Sequence, residues 1–156
     1  GCHLTIEDGP QMVTHDLTRP GLVIIGDAAG FTLNTGLTIR GMDLAAGSAL
    51  AASTAVHAAL ESGDFSQAAM DRYLSELKSS FVGQDMQTYA KAPAFLERPR
   101  MYKDYGRLAA EVFYGVFNHD LRPRRHIMKV AMDAFKASGL RLRDLISDGL
   151  AGIKAL

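Results

Sequence analysis

Residues 26–43, GDAAGFTLNTGLTIRGMD, constrain the fold of this chain more than any other stretch. They follow a short apolar run, Leu22-Val23-Ile24-Ile25, and precede a segment of small residues, Leu44 to Leu60. The apolar run predicts a short buried strand, being too uniformly apolar for a strand with one wet face. The small-residue segment predicts a helix starting near Gly41 to Asp43. Asp43 in its first turn opposes the helix dipole favourably. Ser62-Gly63 ends it, glycine being the usual residue just past a helix. A strand, a Gly-Asp turn, a glycine-punctuated loop and a helix start together make a site for a charged or polar cofactor. The carboxylate accepts from sugar hydroxyls, and the helix start offers free N–H donors and a partial positive charge.

Two readings of Asp27 stay open at this level. An Asp at the C-terminal end of a buried strand sits where open α/β sheets bind ligands. An Asp there also caps turns. The loop that follows holds Gly30, Gly36 and Gly41, with Asn34, Thr35 and Thr38 between them. Its glycines permit close approach of backbone to a ligand. A loop carrying Phe31, Leu33, Leu37 and Ile39 is too apolar to be merely solvated. It is expected to lie over a ligand or over a part of the polypeptide outside these residues.

Around this centre, residues 1–21 read as the tail of a β region, with Leu4, Ile6, Met12, Val13 and Leu17 scattered among turn formers. Asp8-Gly9-Pro10 and Arg19-Pro20-Gly21 are turn signals. Everything after Gly63 reads as helical. Asp64 with Gln67 resembles a capping box, and Phe65, Ala69, Tyr73, Leu77 and Phe81 fall on one helical face until Gly83 breaks the pattern. Lys91-Ala92-Pro93 and Arg98-Pro99-Arg100 mark a loop around Ala94-Phe95-Leu96. Asp104 is placed to cap a helix with Tyr105, Leu108, Ala109, Val112, Phe113 and Val116 inside. Pro123 is placed to open another, with Ile127, Val130, Ala131 and Ala134 inside and Gly139 past its end. Leu142, Leu145, Ile146 and Leu150 predict a last helix. The chain thus changes character near residue 62. Residues 1–62 read as the end of an α/β domain and 63–156 as a helical extension.

Composition serves mainly to exclude. The 17 acidic and 17 basic residues balance, so no global field favours nucleic acid or anionic lipid. At 156 residues the chain is one domain or a piece of a larger protein. Its start at Gly1 rather than Met reads as a fragment or processed product. The lone Cys2 builds no disulfide framework and no cysteine-rich metal or iron–sulfur site within the chain. A reducing compartment follows as the default. Residues 44–60 carry no formal charge, yet eight of these 17 are Ala, and Gly47, Ser48, Ser53, Thr54 and His57 interrupt them. They read as a buried helix rather than a membrane span.

Other chemistry is thin. His3, His15, His57, His119 and His126 lack metal-ligand spacing. Ser48 and Ser53 lack a nucleophile elbow, and no phosphate-binding loop is present. Arg122, Arg124, Arg125, His126 and Lys129, echoed by Lys136, Arg141 and Arg143, form a basic cluster. It reads as a solvated helical face, or as a docking patch for an acidic electron-transfer partner or a membrane surface. No aromatic interleaving suggests single-stranded nucleic acid.

The run GDAAGFTLNTGLTIRGMDLAAGSALAAS resembles the second flavin-binding motif of FixC-type flavoproteins. These belong with the electron-transfer-flavoprotein:quinone oxidoreductases and geranylgeranyl-reductase-like enzymes. Lys91-Ala92-Pro93-Ala94-Phe95-Leu96, Arg98-Pro99-Arg100-Met101-Tyr102 and Leu145-Ile146-Ser147-Asp148-Gly149-Leu150 resemble that family's helical C-terminal region. The resemblance implies a fold: the end of a Rossmann-like FAD-binding domain over 1–62, then the mostly helical region 63–156. It implies FAD as cofactor, with Asp27 on its ribityl or pyrophosphate part, Gly26 and Ala28 shaping the turn, and backbone N–H groups of Gly41 and Met42 near the flavin pyrimidine edge. A helix start there stabilises negative charge on the flavin. Arg40 adds charge there or faces solvent or a carboxylate. No side chain of this chain is implied to be catalytic, and no metal site.

The function implied is electron transfer from an electron-transfer flavoprotein to a ferredoxin-like protein or a quinone at a membrane surface. The implied location is cytoplasmic, at or near the inner membrane. The lone cysteine matches the FixC type, whose ferredoxin-like partner is a separate protein. The alternatives are a flavin-dependent reductase or monooxygenase of a lipid-like substrate, and a non-catalytic helical interaction module. The family's G-x-G-x-x-G turn is missing from these residues. The ADP half of the cofactor has no site here, and the chain by itself is expected to bind FAD poorly.

Overall fold

A computed structural model describes residues 9–119 and 121–156. Cys2, His3, Leu4, Ile6 and Asp8 lie outside the described residues. The chain divides into two compact units, one reaching to Pro93 and one spanning Ala94–Lys154.

In the first unit, β1 (Thr18–Arg19) and β2 (Leu22–Val23) form an antiparallel hairpin, Thr18 opposite Val23. Gly21 turns it in the left-handed region, φ +70°. A single helical turn, Gly26–Ala29, follows and ends on Gly30 at φ +80°. A second antiparallel hairpin pairs β3 (Leu33–Asn34) with β4 (Ile39–Arg40). The long helix α1 (Met42–Ser62) comes next and stops at Gly63, φ +69°. Helices α2 (Gln67–Met70), α3 (Arg72–Ser79) and α4 (Phe81–Thr88) pack against it.

The small residues of α1 explain this packing. Gly47, Ser48, Ala51, Ala52, Ala55 and Ala59 are buried. A Cβ on Gly47 would lie 2.5 Å from Phe81 Cζ and 2.7 Å from Val82 Cγ2, so α4 sits where any larger residue would stand. Leu44, Phe31, Leu33, Tyr73, Leu77 and Val82 complete the core. Tyr73 is fully buried, and its hydroxyl donates to the carbonyl of Ile24 at 3.1 Å. Burial pushes its phenol up to about 12.

Several local expectations change. Leu22–Ile25 is not a buried strand: β2 has two residues and pairs only with β1, and Leu22 is 47% exposed. With one neighbouring strand among the described residues, its outer face has nothing to cover it. Asp64 does not cap α2. Ser66 does, accepting from the Ala69 N–H, while Asp64 accepts from the Ser66 N–H two residues on. The shorter reach of that Asx turn moves the cap by two residues. The face beginning at Phe65 is shared among three short helices, and Phe65 and Phe81 at its ends are exposed. Gly83 lies inside α4 rather than breaking it. A Cβ there would collide with the carbonyl of Leu77, so its bare backbone lets α4 fold back onto the end of α3.

In the second unit, a π-helical turn at Met101–Tyr105 runs into α6 (Gly106–Phe117), after the short helix α5 (Ala92–Leu96) that begins at the boundary between the units. Asp104 therefore lies within a continuous helical run and caps nothing. Residues 92–96 are helical rather than loop. Helix α7 (Ile127–Ala137) starts four residues after the position expected from Pro123, capped by His126, whose Nδ1 accepts from the Met128 N–H. Gly115 lets α6 meet α7, since its Cβ would stand 2.5 Å from Val130 Cγ1. Phe113 and Ile127, expected inside, are exposed.

Helix α8 (Leu142–Ala155) also turns a different face from the one expected. Leu142, Leu145, Ile146 and Leu150 are exposed, and Asp148 is 3% exposed. Asp148 accepts from Arg98 Nη1 at 2.7 Å, Arg100 Nε at 2.7 Å and the Tyr105 hydroxyl at 2.7 Å. The polar anchor, not the leucines, sets how α8 is seated. The Arg100 guanidinium holds the Asp148 carboxyl far below the usual carboxylate range.

Candidate functional site

The Gly26–Ala29 turn and the start of α1 meet. The position a Cβ would take on Gly41 is 3.7 Å from Asp27 Oδ1 and 3.8 Å from Thr32 Cγ2. Gly41 precedes the first turn of α1 and supplies no side-chain cap. The first intrahelical bond there runs from the Ala45 N–H to the Gly41 carbonyl, 2.7 Å. The N–H groups ahead of it have no partner in the helix ladder.

Ser48, fully buried on α1, holds the turn in place. Its hydroxyl accepts from the Gly26 N–H at 2.9 Å and donates to the Ala45 carbonyl at 2.8 Å. Gly26 itself is at φ +58° and packs against Ala45. From sequence Ser48 was one of the small residues of the helix and no nucleophile, without a part in holding the turn. Its real signal was a small polar residue in an otherwise apolar helix face. Ser48→Ala leaves the buried Gly26 N–H unsatisfied and is expected to cost about 1–3 kcal/mol. Urea melting followed by far-UV circular dichroism measures it, the chain having no tryptophan.

Asp27, Ala28 and Met42 are exposed, Met42 at 91%. The Asp27 carboxylate makes no hydrogen bond or ion pair with any described residue. The turn's own bonds use backbone: the Gly30 N–H donates to the Asp27 carbonyl, and the Phe31 N–H to that of Gly26. Asp27 is thus no side-chain cap. Thr32 is only 4% exposed, and its hydroxyl has no partner among the described residues. The five positions named from sequence, Gly26, Asp27, Ala28, Gly41 and Met42, lie on two elements that the fold brings together.

Arg40 takes the carboxylate option. Its Nε donates to Asp43 Oδ2 at 2.7 Å and its Nη1 to Asp85 Oδ2 at 2.6 Å. The Arg40 hydrogen bond holds the Asp43 carboxyl below its ordinary range, helped by the N–H groups of Leu44 and of Asp43 itself. Asp85, on α4, was not singled out from sequence.

The donor set fits the polar middle of a dinucleotide flavin. An unengaged carboxylate suits hydroxyl donors, and a helix start suits a group that gains negative charge. Bare glycine at position 41 keeps the space between them open, with the Thr32 methyl alongside. Nothing in the sequence supplies the glycine turn that the ADP half requires.

Elsewhere the basic cluster is partly consumed internally. Arg124 donates to the Val116 carbonyl at 2.7 Å and lies against His119, and Arg125 pairs with Asp133 at 3.0 Å. They border an open cleft of about 730 Å³ that Glu111 also lines. His57 sits 3.3 Å from Glu61 on the exposed side of α1. No group of three or more metal-ligating side chains occurs among the described residues. No described helix is long and apolar enough to cross a membrane.

Comparison with known proteins joins these observations. Residues 92–156 match the model of the ETF-QO/FixC family C-terminal domain. Over 154 residues, 99% of the chain, it is 44% identical to the probable electron transfer flavoprotein-quinone oxidoreductase YdiS of Escherichia coli K12. It is 38% identical over the same length to Protein FixC of that organism. The probable electron transfer flavoprotein-quinone oxidoreductase YgcN, from the same source, is 28% identical over 123 residues, which are 79% of the chain and 29% of YgcN. The chain spans 35% of the length of YdiS and of FixC. The chain belongs to the ETF-QO/FixC family and carries that family's C-terminal domain in residues 92–156.

Proposed function

We propose that these residues form part of an FAD-dependent oxidoreductase that passes electrons from an electron-transfer flavoprotein to a quinone or a ferredoxin-like acceptor. Residues 1–62 are the end of its Rossmann-like FAD-binding domain and 63–156 its helical region. Asp27 carries the proposal: an exposed carboxylate with no side-chain partner among the described residues, beside the start of a 21-residue helix. The names of YdiS and YgcN, probable electron transfer flavoprotein-quinone oxidoreductases, support the class of reaction. FAD supplies the redox chemistry when bound.

The chain's own residues bind and orient. Asp27 accepts from the cofactor's hydroxyl chain. Gly26 and Ala28 shape the turn around it. Gly41 and Met42 direct N–H groups at the edge that gains negative charge on reduction. Gly41 also leaves the room this needs. No side chain here moves a proton in the reaction.

The test uses the natural polypeptide that contains these residues, purified and read by absorption for oxidised flavin. Asp27→Asn removes one charged hydrogen-bond acceptor and is expected to weaken FAD binding about tenfold or more, with the circular dichroism spectrum unchanged. A colourless wild type that refuses added FAD would defeat the proposal. Full FAD content at unchanged affinity in Asp27→Asn would defeat the role of Asp27.

A further inference from the structure

The Arg40 bridge reaches beyond packing. Asp43 is the second residue of α1, about 3 Å of helix rise beyond Gly41. A carboxylate in a first turn stabilises a helix by itself. At a cofactor site it has a second effect, because it opposes negative charge gained by a group bound at the same helix start. Arg40 leaves β4 and reaches back to Asp43, and its other edge is fixed by Asp85 from α4. One guanidinium thus ties the second hairpin, α1 and α4 together at the point where the Asp27 carboxylate and the Thr32 methyl approach Gly41.

We propose that Arg40 is a positioning residue that neutralises Asp43 and so keeps the reduction potential of the bound cofactor up, with Asp85 orienting it. This rests on the flavin reading above. A unit charge acting across about 10 Å at the dielectric of a protein surface changes a charge-gaining equilibrium by about tenfold. With the three side chains a quarter to a half exposed, salt reduces the effect.

The natural polypeptide loaded with FAD is titrated spectroelectrochemically. Arg40→Gln is expected to shift the reduced-to-oxidised ratio about tenfold toward oxidised, about 30 mV lower for a two-electron couple. Asp43→Asn shifts it upward. The double variant Arg40→Gln/Asp43→Asn returns close to the wild type, which a merely structural role would not produce. Raising the salt concentration shrinks both single shifts. Midpoints within a factor of two of wild type in flavin-loaded Arg40→Gln and Asp43→Asn would overturn the role of Arg40. If Arg40→Gln does not fold or load, an unshifted Asp43→Asn overturns it alone. A wild type that binds no flavin overturns the reading beneath it, and is told apart by its spectrum before any variant is made.

Discussion

Gly30→Ala is expected to destabilise the first unit by about 3–4 kcal/mol, enough to unfold a marginally stable domain. Two effects add. At φ +80° any Cβ lies in the left-handed region, which costs an L-residue about 1–2 kcal/mol. The Cβ would also collide with the carbonyl of Met12 and stand 2.8 Å from the Val13 nitrogen. These are backbone atoms that cannot rotate away, and overpacking of that kind costs about 1–3 kcal/mol. The segment they belong to is itself fixed, since the Thr14 N–H donates to the Ala29 carbonyl at 3.1 Å. Gly63→Ala separates the two effects. Gly63 has nearly the same φ, +69°, but open space where its Cβ would go. Its substitution is expected to cost only about 1 kcal/mol. Urea melts followed by far-UV circular dichroism give both numbers. Equal losses would show that the contact with Met12 does not matter.

Asp148→Asn is expected to loosen the second unit by about 3 kcal/mol. Breaking a buried ion pair by removing one partner costs about 3–5 kcal/mol. The lower end applies because Arg98 and Arg100 are about 40% exposed and regain water. The variant keeps the side chain's shape, so the loss reports charge and hydrogen bonding rather than a cavity.

A pH dependence follows with a definite sign. The folded-state carboxyl titrates well below its unfolded value, because Arg100 donates to its charged form, joined by Tyr105 and Arg98. The stabilisation is therefore complete well above the unfolded value near 4 and is lost as pH falls through that value toward the lower folded one. Acid titration of the wild type is expected to show this loss, and Asp148→Asn to lack it. Parallel acid melts of the two proteins would rule it out.

The legible parts of the chain were those whose causes are local. Helix α1 was readable at both ends because Gly41 and Gly63 act on their immediate neighbours. The Gly-Asp turn was readable because Gly26 and Gly30 take up left-handed backbone that other residues avoid. What escaped notice rests on partners far along the chain. Arg40 meets Asp85 across 45 positions, and Arg98 meets Asp148 across 50. Residues 98–100 looked like a proline-marked loop, whereas their arginines bracket a buried carboxylate midway along α8. Asp148 sits among apolar residues at helical spacing, and spacing alone favours a leucine face. The face turned inward was decided by the hydrogen bonds that a buried carboxylate demands. Whether Leu22–Ile25 is covered was likewise not a local matter, since strand burial depends on neighbours that periodicity does not specify.

The close seating of α4 on α1 also dictates how the sequence of that helix can drift. Gly47 and the alanines beneath it have no spare volume, so changes there are expected to be purged at nearly every position. Met42, Ala46, Leu50, Ser53, His57 and Leu60 look outward or sideways and are free of that constraint. A saturation library over 42–62, selected for folded protein, should therefore return a tolerance profile that rises and falls every three to four residues, one strip frozen and its opposite almost neutral.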